Sequence, residues 1–286
     1  NFILLGDPGM RIAYPPLKVE TTKITNVATG AAADTLKAFS KIKVEGRILD
    51  QNSNPMPNYK GTLQPTIYDK PIIYKTLGND PDSRVEEFKM QNSIIYKGDV
   101  SIDSGKFSFE FVVPKDISYQ FGPGKISYYG YNQELDAGGT DQTIVVGGSE
   151  TNIEEDTTAP EIVLYMNDEN FVFGGITDPH PTMIAEVFDQ NGINTVGNGI
   201  GRDIRITLDK NTEAEQIISA NDFYQSKLNS YQEGEIRYKF SDLSMGTHTL
   251  TLKLWDVFNN SQEAYTEFLV TDDAELALDH ILNYPN

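Results

Sequence analysis

The sequence of 286 residues contains no cysteine, only three histidines and a single tryptophan. Without cysteine, these residues form no disulfide and no thiolate metal site, and they supply no cysteine nucleophile. There is also no run of 18 apolar residues, the length that a membrane-spanning helix needs. Thiol chemistry is therefore excluded for this chain, and no spanning helix is predicted.

Basic residues are scarce relative to acidic ones. The sequence has 23 Lys and Arg residues and 42 Asp and Glu residues, which gives a formal net charge of -19. Such a surface repels a phosphate backbone, so nucleic-acid binding is not expected. The excess of carboxylates favours solubility. Oxygen-rich loops also suit a hard cation such as calcium, and this alternative stays open.

Aromatic residues are plentiful, with 14 Phe and 15 Tyr, and short apolar stretches recur between Gly, Pro, Asn and Asp. This pattern is typical of strands and turns. Leu250, Leu252 and Leu254 alternate clearly, and Trp255 at the end of that strand is predicted to be buried beneath the turn that follows. Residues 171–173 are also predicted to form a strand. The sequence indicates a mostly β protein with two tandem Ig-like β-sandwich domains.

The domain boundaries follow from turn-rich and charged segments. Residues 1–16 are expected to end a preceding domain, and residues 17–147 to form the first β-sandwich. Residues 148–159 form a polar linker, residues 160–271 the second β-sandwich, and residues 272–286 a further linker that begins with one or two helical turns. Because the first linker has few apolar residues, the two sandwiches are predicted to fold separately.

Catalytic residues are not apparent. His180, His248 and His280 lie in three different segments, and no particular Ser or Thr is singled out as a nucleophile beside any of them. No catalytic, cofactor-binding or metal-ligating residue is therefore assigned, and this chain by itself is predicted not to be an enzyme.

Residues 189–194, Asp-Gln-Asn-Gly-Ile-Asn, place oxygen-bearing side chains on alternate positions around a glycine. A calcium loop has this pattern, but the closing bidentate Glu of an EF-hand is missing, and Asn-Gly is also a strong hairpin turn. Both interpretations stay open, with the turn favoured. Further oxygens could come from Asp168, Glu169, Asp178 and Asp203.

Two other segments have a functional and a structural interpretation. The glycine-rich residues 197–201 lack the surrounding strand and helix of a phosphate-binding loop, so they are interpreted as a flexible loop. Tyrosines near acidic residues could stack on a sugar, although strand tyrosines more often pack in a core. The residues concerned are Tyr128, Tyr129, Tyr131, Glu134 and Asp136.

Several segments, taken in order, resemble the gingipain-like sortases of type IX secretion. Residues 1–8 and 11–15 are similar to the end of the peptidase domain of that family. Residues 283–286, Asn-Tyr-Pro-Asn, resemble the entrance to a C-terminal Ig-like module. Segments similar to the sandwich region of that family lie at residues 112–117, 124–129, 136–139, 146–148, 171–175, 189–194, 199–201 and 255–260.

This resemblance implies the non-catalytic, post-catalytic part of a surface cysteine peptidase that removes C-terminal signals from secreted cargo. The Cys and His of the family would lie upstream of Asn1. The implied partners are that peptidase domain, an outer-membrane secretion component and cargo, at the cell surface and without a cofactor. The alternative is a surface adhesin or a carbohydrate- or calcium-binding sandwich module.

Overall fold

The computed structural model describes residues 14–80, 82–151, 153–196 and 201–272. No α-helix occurs in these residues, and one 3₁₀ turn spans Asn221–Phe223. In the same part of the chain no helix has the length and apolar character needed to cross a membrane. The predicted domain end before residue 14, most of the glycine-rich loop and the helical turns after Asp272 lie outside the described residues.

The first sandwich combines a large curled sheet with a small one. The large sheet has the order β7-β4-β11-β12-β1-β3-β9, with β8 also paired to β4, and the small sheet has the order β10-β13-β2. The strands of this part of the chain are β1 (Leu17–Asn26), β2 (Thr35–Ala38), β3 (Lys41–Leu49), β4 (Gly61–Tyr68), β5 (Ile72–Lys75), β6 (Glu87–Met90), β7 (Ile94–Lys97), β8 (Val100–Ile102), β9 (Lys106–Val112), β10 (Gly122–Pro123), β11 (Lys125–Tyr131), β12 (Asp136–Asp141) and β13 (Val145–Ser149). Strands β5 and β6 pair with each other in a separate two-stranded sheet.

Strict alternation builds the core of the first sandwich. Along β3 every second residue is buried, which brings Ile42, Val44 and Ile48 to one face. Aromatic rings fill the space between the strands, and the Tyr96 ring stacks on Phe111 with centroids 5.3 Å apart. The first core is therefore aromatic-rich, as the composition indicates.

The second sandwich packs two sheets face to face. One sheet has the order β14-β16-β20-β19 and the other the order β15-β22-β21-β17-β18. The strands are β14 (Glu161–Met166), β15 (Gly175–Thr177), β16 (Thr182–Phe188), β17 (Arg205–Leu208), β18 (Gln216–Ser219), β19 (Tyr224–Ser226), β20 (Glu233–Lys239), β21 (Gly246–Trp255) and β22 (Ser261–Val270). The prediction of a mostly β, two-sandwich chain is confirmed.

Strand β21 is central to the second core. Leu250, Leu252 and Leu254 are fully buried, as the alternation predicts. Trp255 lies on the opposite face and is nevertheless only 9% exposed, with the Lys253 ammonium 5.3 Å from the centre of its ring. The predicted burial of Trp255 is confirmed.

The strand predicted at residues 171–173 is wrong. The N–H of Phe171 donates to the carbonyl of Asp168 at 3.2 Å, and Gly174 has a φ of +78°, so this segment forms tight turns. Val172 and Phe173 are exposed. Of these three apolar residues, Phe171 packs against the second core. A run of three apolar residues does not show which of them is buried, and this is why the strand prediction failed.

The two sandwiches are in direct contact through loops that are distant in sequence. The carboxylate of Asp116 accepts hydrogen bonds from the side-chain amides of Asn194 and Asn259, each at 2.9 Å, and from the guanidinium of Arg202. Asp116 belongs to the first sandwich, and its three donors belong to the second. We call this group the Asp116 junction.

A second set of contacts also joins the two sandwiches. The carbonyl of Asp99 accepts from the N–H of Asn229 at 2.8 Å, and the Asp99 carboxylate accepts from Gln225 at 2.8 Å. The ring of Tyr231 from the second sandwich packs against the first core. The composition of the polar linker did not predict this interface. Separate folding of the two sandwiches stays a prediction.

We expect Asp116→Ala to lower the free energy of unfolding of the second sandwich by about 1–2 kcal/mol, because it removes an acceptor from the side-chain amides of the fully buried Asn194 and of Asn259, whereas the exposed Arg202 stays hydrated. The single Trp255 reports on that sandwich alone. Denaturant unfolding followed by its emission therefore measures the loss.

Asp34→Ala removes an exposed carboxylate from the first sandwich and serves as the matched control, with an unchanged midpoint expected. Equal midpoints for Asp116→Ala and the wild type would show that the junction contributes nothing to stability.

Candidate functional site

Three carboxylates from different parts of the chain meet beside the interface. Asp156 lies in the linker, Asp189 follows β16, and Asp256 follows β21. One oxygen of each lies within 4.8 Å of the others. Asp189 is 3% exposed and Asp256 is fully buried. We call these three residues the aspartate cluster.

Tight turns hold two members of the cluster in place. The Oδ1 atom of Asp189 accepts from the N–H groups of Asn191 at 2.8 Å and Gly192 at 2.9 Å, and Gly192 adopts a φ of +98°. Asp256 makes the same kind of turn, accepting from the N–H of Asn260 at 2.7 Å. Short polar side chains that bond to the backbone just ahead are favoured in such turns.

The linker supplies the third carboxylate. The side-chain amide of Asn191 donates to Asp156 Oδ2 at 2.7 Å, and that of Asn260 donates to the Asp156 carbonyl at 3.0 Å. The two turns thus bind the linker to the second sandwich. These contacts explain why the polar linker has one fixed path at this point.

The electrostatics of the cluster are unfavourable. No salt bridge to any of the three occurs within the described residues. Burial raises the pKa of Asp189 to about 6, and the charges of Asp256 and Asp156 add to this effect. Burial also raises the pKa of Asp256. Burial acts to raise the pKa of Asp156 as well, but hydrogen bonds from Thr158 and Asn191 outweigh it and lower that pKa.

A proton or a hard cation would relieve this repulsion. Calcium takes six to eight oxygen ligands, and the cluster offers three carboxylates as a start. Of the residues singled out from sequence, Asp189 belongs to this cluster. Within the described residues, the others do not join it, and Asp168 and Asp178 instead accept from the N–H groups of Asn170 and His180 in turns of their own.

Sequence reasoning missed Asp156 and Asp256. The signal for Asp256 was present, since Asp-Val-Phe-Asn-Asn at residues 256–260 has the same Asp and Asn turn chemistry as residues 189–194. No local signal marks Asp156, because its role depends on where the linker lies.

The structure also brings a serine, a histidine and an aspartate together, which the sequence interpretation did not expect. His248 Nδ1 lies 2.7 Å from Asp209 Oδ2, and His248 Nε2 lies 3.4 Å from Ser244 Oγ. His248 is buried on β21, and Ser244 is exposed. The order of contacts resembles a hydrolase triad.

The hydrogen bonding is unsuitable for catalysis. His248 Nε2 lies 2.8 Å from the carbonyl oxygen of Ser244. A carbonyl only accepts, so this nitrogen carries a hydrogen and cannot take the proton of the Ser244 hydroxyl. The group is a structural connection between the turn at Asp209 and the start of β21. His180 is in an exposed loop, and His280 lies outside the described residues.

The tyrosines considered for sugar binding divide into two groups. Tyr128 is buried, and its hydroxyl lies 2.7 Å from Thr21 Oγ1. Tyr129 and Tyr131 are exposed, with ring centroids 5.8 Å apart, and the Tyr129 hydroxyl donates to Asp136 at 3.1 Å. Their rings stack on each other at the surface.

Comparison with solved structures finds the crystal structure of dimeric latent PorU from Porphyromonas gingivalis, with 30% identity and a TM-score of 0.51. The match covers 94% of this chain and 25% of that chain, so this chain spans about a quarter of the PorU chain that it matches. A second match, to red sea bream transglutaminase, covers 92% of this chain and 32% of that chain. Its 8% identity and TM-score of 0.25 are too low to support any inference. No family model and no curated protein matches this chain.

We expect Asp189→Asn to stabilise the metal-free protein by about 1–3 kcal/mol at pH 8, because it removes the charge from the aspartate cluster and keeps the acceptor of the turn. The native carboxyl has a raised pKa, so its contribution to stability is present below about pH 4 and is lost as the pH rises through about 6. The advantage of the variant should therefore vanish near pH 4. Thermal unfolding with a chelator, repeated across this range, measures it.

The matched control is Asp168→Asn, which alters an exposed aspartate in a similar turn and should give no pH-dependent gain in stability.

Adding calcium at pH 8 tests whether a cation, rather than a proton, can relieve the repulsion between the three carboxylates. A cation held by the cluster raises the melting temperature of the wild type and not that of Asp189→Asn, whereas an equal response excludes the cluster as its site. An Asp189→Asn protein no more stable than the wild type at pH 8 would contradict the raised pKa of Asp189.

A structural role for the histidine group predicts unequal effects of substitution. His248→Ala should lower the free energy of unfolding by about 2–4 kcal/mol, because it leaves the Asp209 carboxylate buried without this partner. Ser244→Ala, at the exposed position, should change it by less than about 0.5 kcal/mol. Hydrolysis of a simple ester above the buffer rate, lost in both variants, would instead establish a working triad.

Proposed function

We propose that this chain, which resembles PorU over 94% of its length, is the non-catalytic, C-terminal β-sandwich region of a type IX secretion sortase. The similarity in sequence and fold over almost the whole chain carries this proposal. It relates the chain to type IX secretion. The position after a catalytic domain rests on the resemblance of residues 1–8 and 11–15 to the end of a gingipain-type peptidase domain.

The chemistry of the parent protein would reside elsewhere in it. A sortase of this kind needs a cysteine that forms a thioester with the cargo and a histidine that acts as acid and base. This chain has no cysteine, and its buried histidine is committed to structural hydrogen bonds. The two sandwiches therefore serve as scaffold and interaction surface.

The interface between the sandwiches supports a scaffold role. The Asp116 junction and the Asp99 contacts connect the two units through residues that do not belong to the linker. A pair of domains joined only by a linker would rotate freely, whereas this pair has a defined arrangement. Such an element holds a peptidase domain at a set distance and orientation from an outer-membrane component or from arriving cargo at the cell surface.

A second candidate function is a surface module that binds carbohydrate. The exposed rings of Tyr129 and Tyr131 favour it, because aromatic faces stack on sugars. The mutual stacking of the two rings leaves less face available, which is why the scaffold role is preferred. Glycan binding that is lost in Tyr131→Ala would support this second function.

The scaffold role predicts that the isolated chain does not cleave a cargo C-terminal signal peptide, whereas the full-length parent protein does. In the parent protein, Asp116→Ala should reduce processing of cargo on cells several-fold without changing the reactivity of the catalytic cysteine towards an alkylating probe. The matched control is Asp34→Ala. The measurement is the fraction of surface cargo that retains its C-terminal signal.

Turnover by the isolated chain, abolished by a substitution within residues 1–286, would refute the non-catalytic assignment. Full processing by a parent protein from which residues 17–271 are deleted would refute the scaffold role.

A further inference from the structure

A cleft of about 530 Å³ lies where the two sandwiches and the linker meet. Its walls include Phe39 and Lys41 of the first sandwich, Glu150 and Glu154 of the linker, and Phe258 of the second sandwich. We call it the Phe39 cleft. Its volume is within the range of ligand pockets, about 300–1,000 Å³, and such pockets occur preferentially at domain interfaces.

Two aromatic rings from different sandwiches meet in this cleft. The ring centroids of Phe39 and Phe258 are 5.0 Å apart, with an angle of 38° between the ring planes. Both residues are half-buried, so part of each ring is accessible from the cleft. The face of an aromatic ring attracts a cation and also packs against an apolar chain.

The backbone at Phe39 is strained. Phe39 has a φ of +68°, a left-handed conformation that is rare for a bulky residue. Its N–H donates to the carbonyl of Val113 at 2.8 Å, and the N–H of Ser40 donates to the carbonyl of Lys37 at 3.0 Å. These bonds hold the turn between β2 and β3. Glycine would adopt this conformation at little steric cost, but it would not supply the ring that reaches Phe258.

The charged groups of the cleft leave a negative excess. Within the described residues, neither Glu150 nor Glu154 pairs with a cationic side chain, and Glu150 accepts from the amide of Asn26 at 3.4 Å. Lys41 Nζ lies 3.0 Å from a carboxylate oxygen of Glu110, so its charge is already compensated. The cleft therefore presents two carboxylates without a cationic partner among the described residues.

The linker beside the cleft also has free backbone groups. Its path is fixed on both sides, because the N–H of Glu150 donates to the carbonyl of Ala38 at 3.0 Å and the Asp156 carboxylate accepts from Asn191 at 2.7 Å. Between these points, the backbone of residues 153–155 makes no hydrogen bond to another described residue. Such backbone groups are available to an added peptide segment.

These features select the chemistry of a ligand. A phosphate or a carboxylate would be repelled by the two glutamates, in a chain with a net charge of -19. A bare metal ion would make no use of the rings or of the free backbone. An arginine side chain uses all three features, because its flat guanidinium stacks on aromatic rings and donates to carboxylates while its own backbone pairs alongside.

We propose that the Phe39 cleft binds an arginine side chain of an unstructured peptide segment. The guanidinium packs against the rings of Phe39 and Phe258 and donates to Glu150 and Glu154. The peptide backbone pairs with residues 153–155. This site adds recognition of a basic peptide to the proposed scaffold role and does not depend on that role.

Calorimetric titration of the intact chain tests the proposal. The probe is the peptide Gly-Leu-Arg-Leu-Gly with blocked termini, and the matched peptide has citrulline, which keeps the shape and loses the charge. In the presence of a chelator, the arginine peptide should bind at least about 10-fold more tightly than the citrulline peptide. Its affinity should fall as salt is added. Equal affinities, or no binding of the arginine peptide at about 1 mM, would overturn the proposal.

Substitutions place the site. Glu154→Gln removes one exposed charge, and Phe258→Leu removes a ring and keeps an apolar side chain. Each should weaken binding of the arginine peptide about 5-fold or more. The matched controls, Glu213→Gln and Phe88→Leu, change an exposed carboxylate and an exposed ring outside the cleft and should leave the affinity unchanged.

Thermal unfolding of each variant separates a local effect from loss of the fold. If Phe258→Leu does not fold, Glu154→Gln at its exposed position decides the outcome. Full affinity in Glu154→Gln would contradict the site, because one of the two carboxylates would then contribute nothing. Full affinity in a folded Phe258→Leu protein would show a plain acidic surface and refute the role of the rings.

Discussion

The carboxylate of Asp116 is the interaction on which the arrangement of the two sandwiches depends. Asp116 belongs to the first sandwich, but the three donors that satisfy it all come from the second. A buried charge without such partners costs several kcal/mol, so neither sandwich satisfies this site alone. The hydrogen bond from Gln225 to Asp99 and the packing of Tyr231 against the first core add to the same interface.

The aspartate cluster lies at the same junction and shows the opposite situation. The Asp116 carboxylate accepts from an arginine and two side-chain amides. Asp189 accepts from backbone N–H groups, and Asp256 accepts from N–H groups and the Asn260 amide, but neither pairs with a cationic side chain within the described residues. Identical side chains with similar burial therefore differ in their energetic role. Asp116 joins the sandwiches, whereas Asp189 and Asp256 have raised pKa values because they are buried without a cationic partner among the described residues.

Much of the fold was determined by the sequence itself, because alternation reports which strand face is buried. Leu250, Leu252 and Leu254 predicted a core strand, and the composition predicted the mostly β class. Locally driven turns were also readable, as the Asp-Gln-Asn-Gly segment shows. The strand predicted at residues 171–173 was wrong, because an apolar run without alternation does not distinguish a strand from a turn with exposed side chains.

Only the tertiary structure decided which distant residues meet. Asp156, Asp189 and Asp256 are separated by tens of residues, and no periodicity connects them. The same holds for the Asp116 junction and for the group of Asp209, Ser244 and His248. Local pattern depends on neighbours along the chain, whereas these sites depend on how two sandwiches and a linker pack, which is a property of the whole fold.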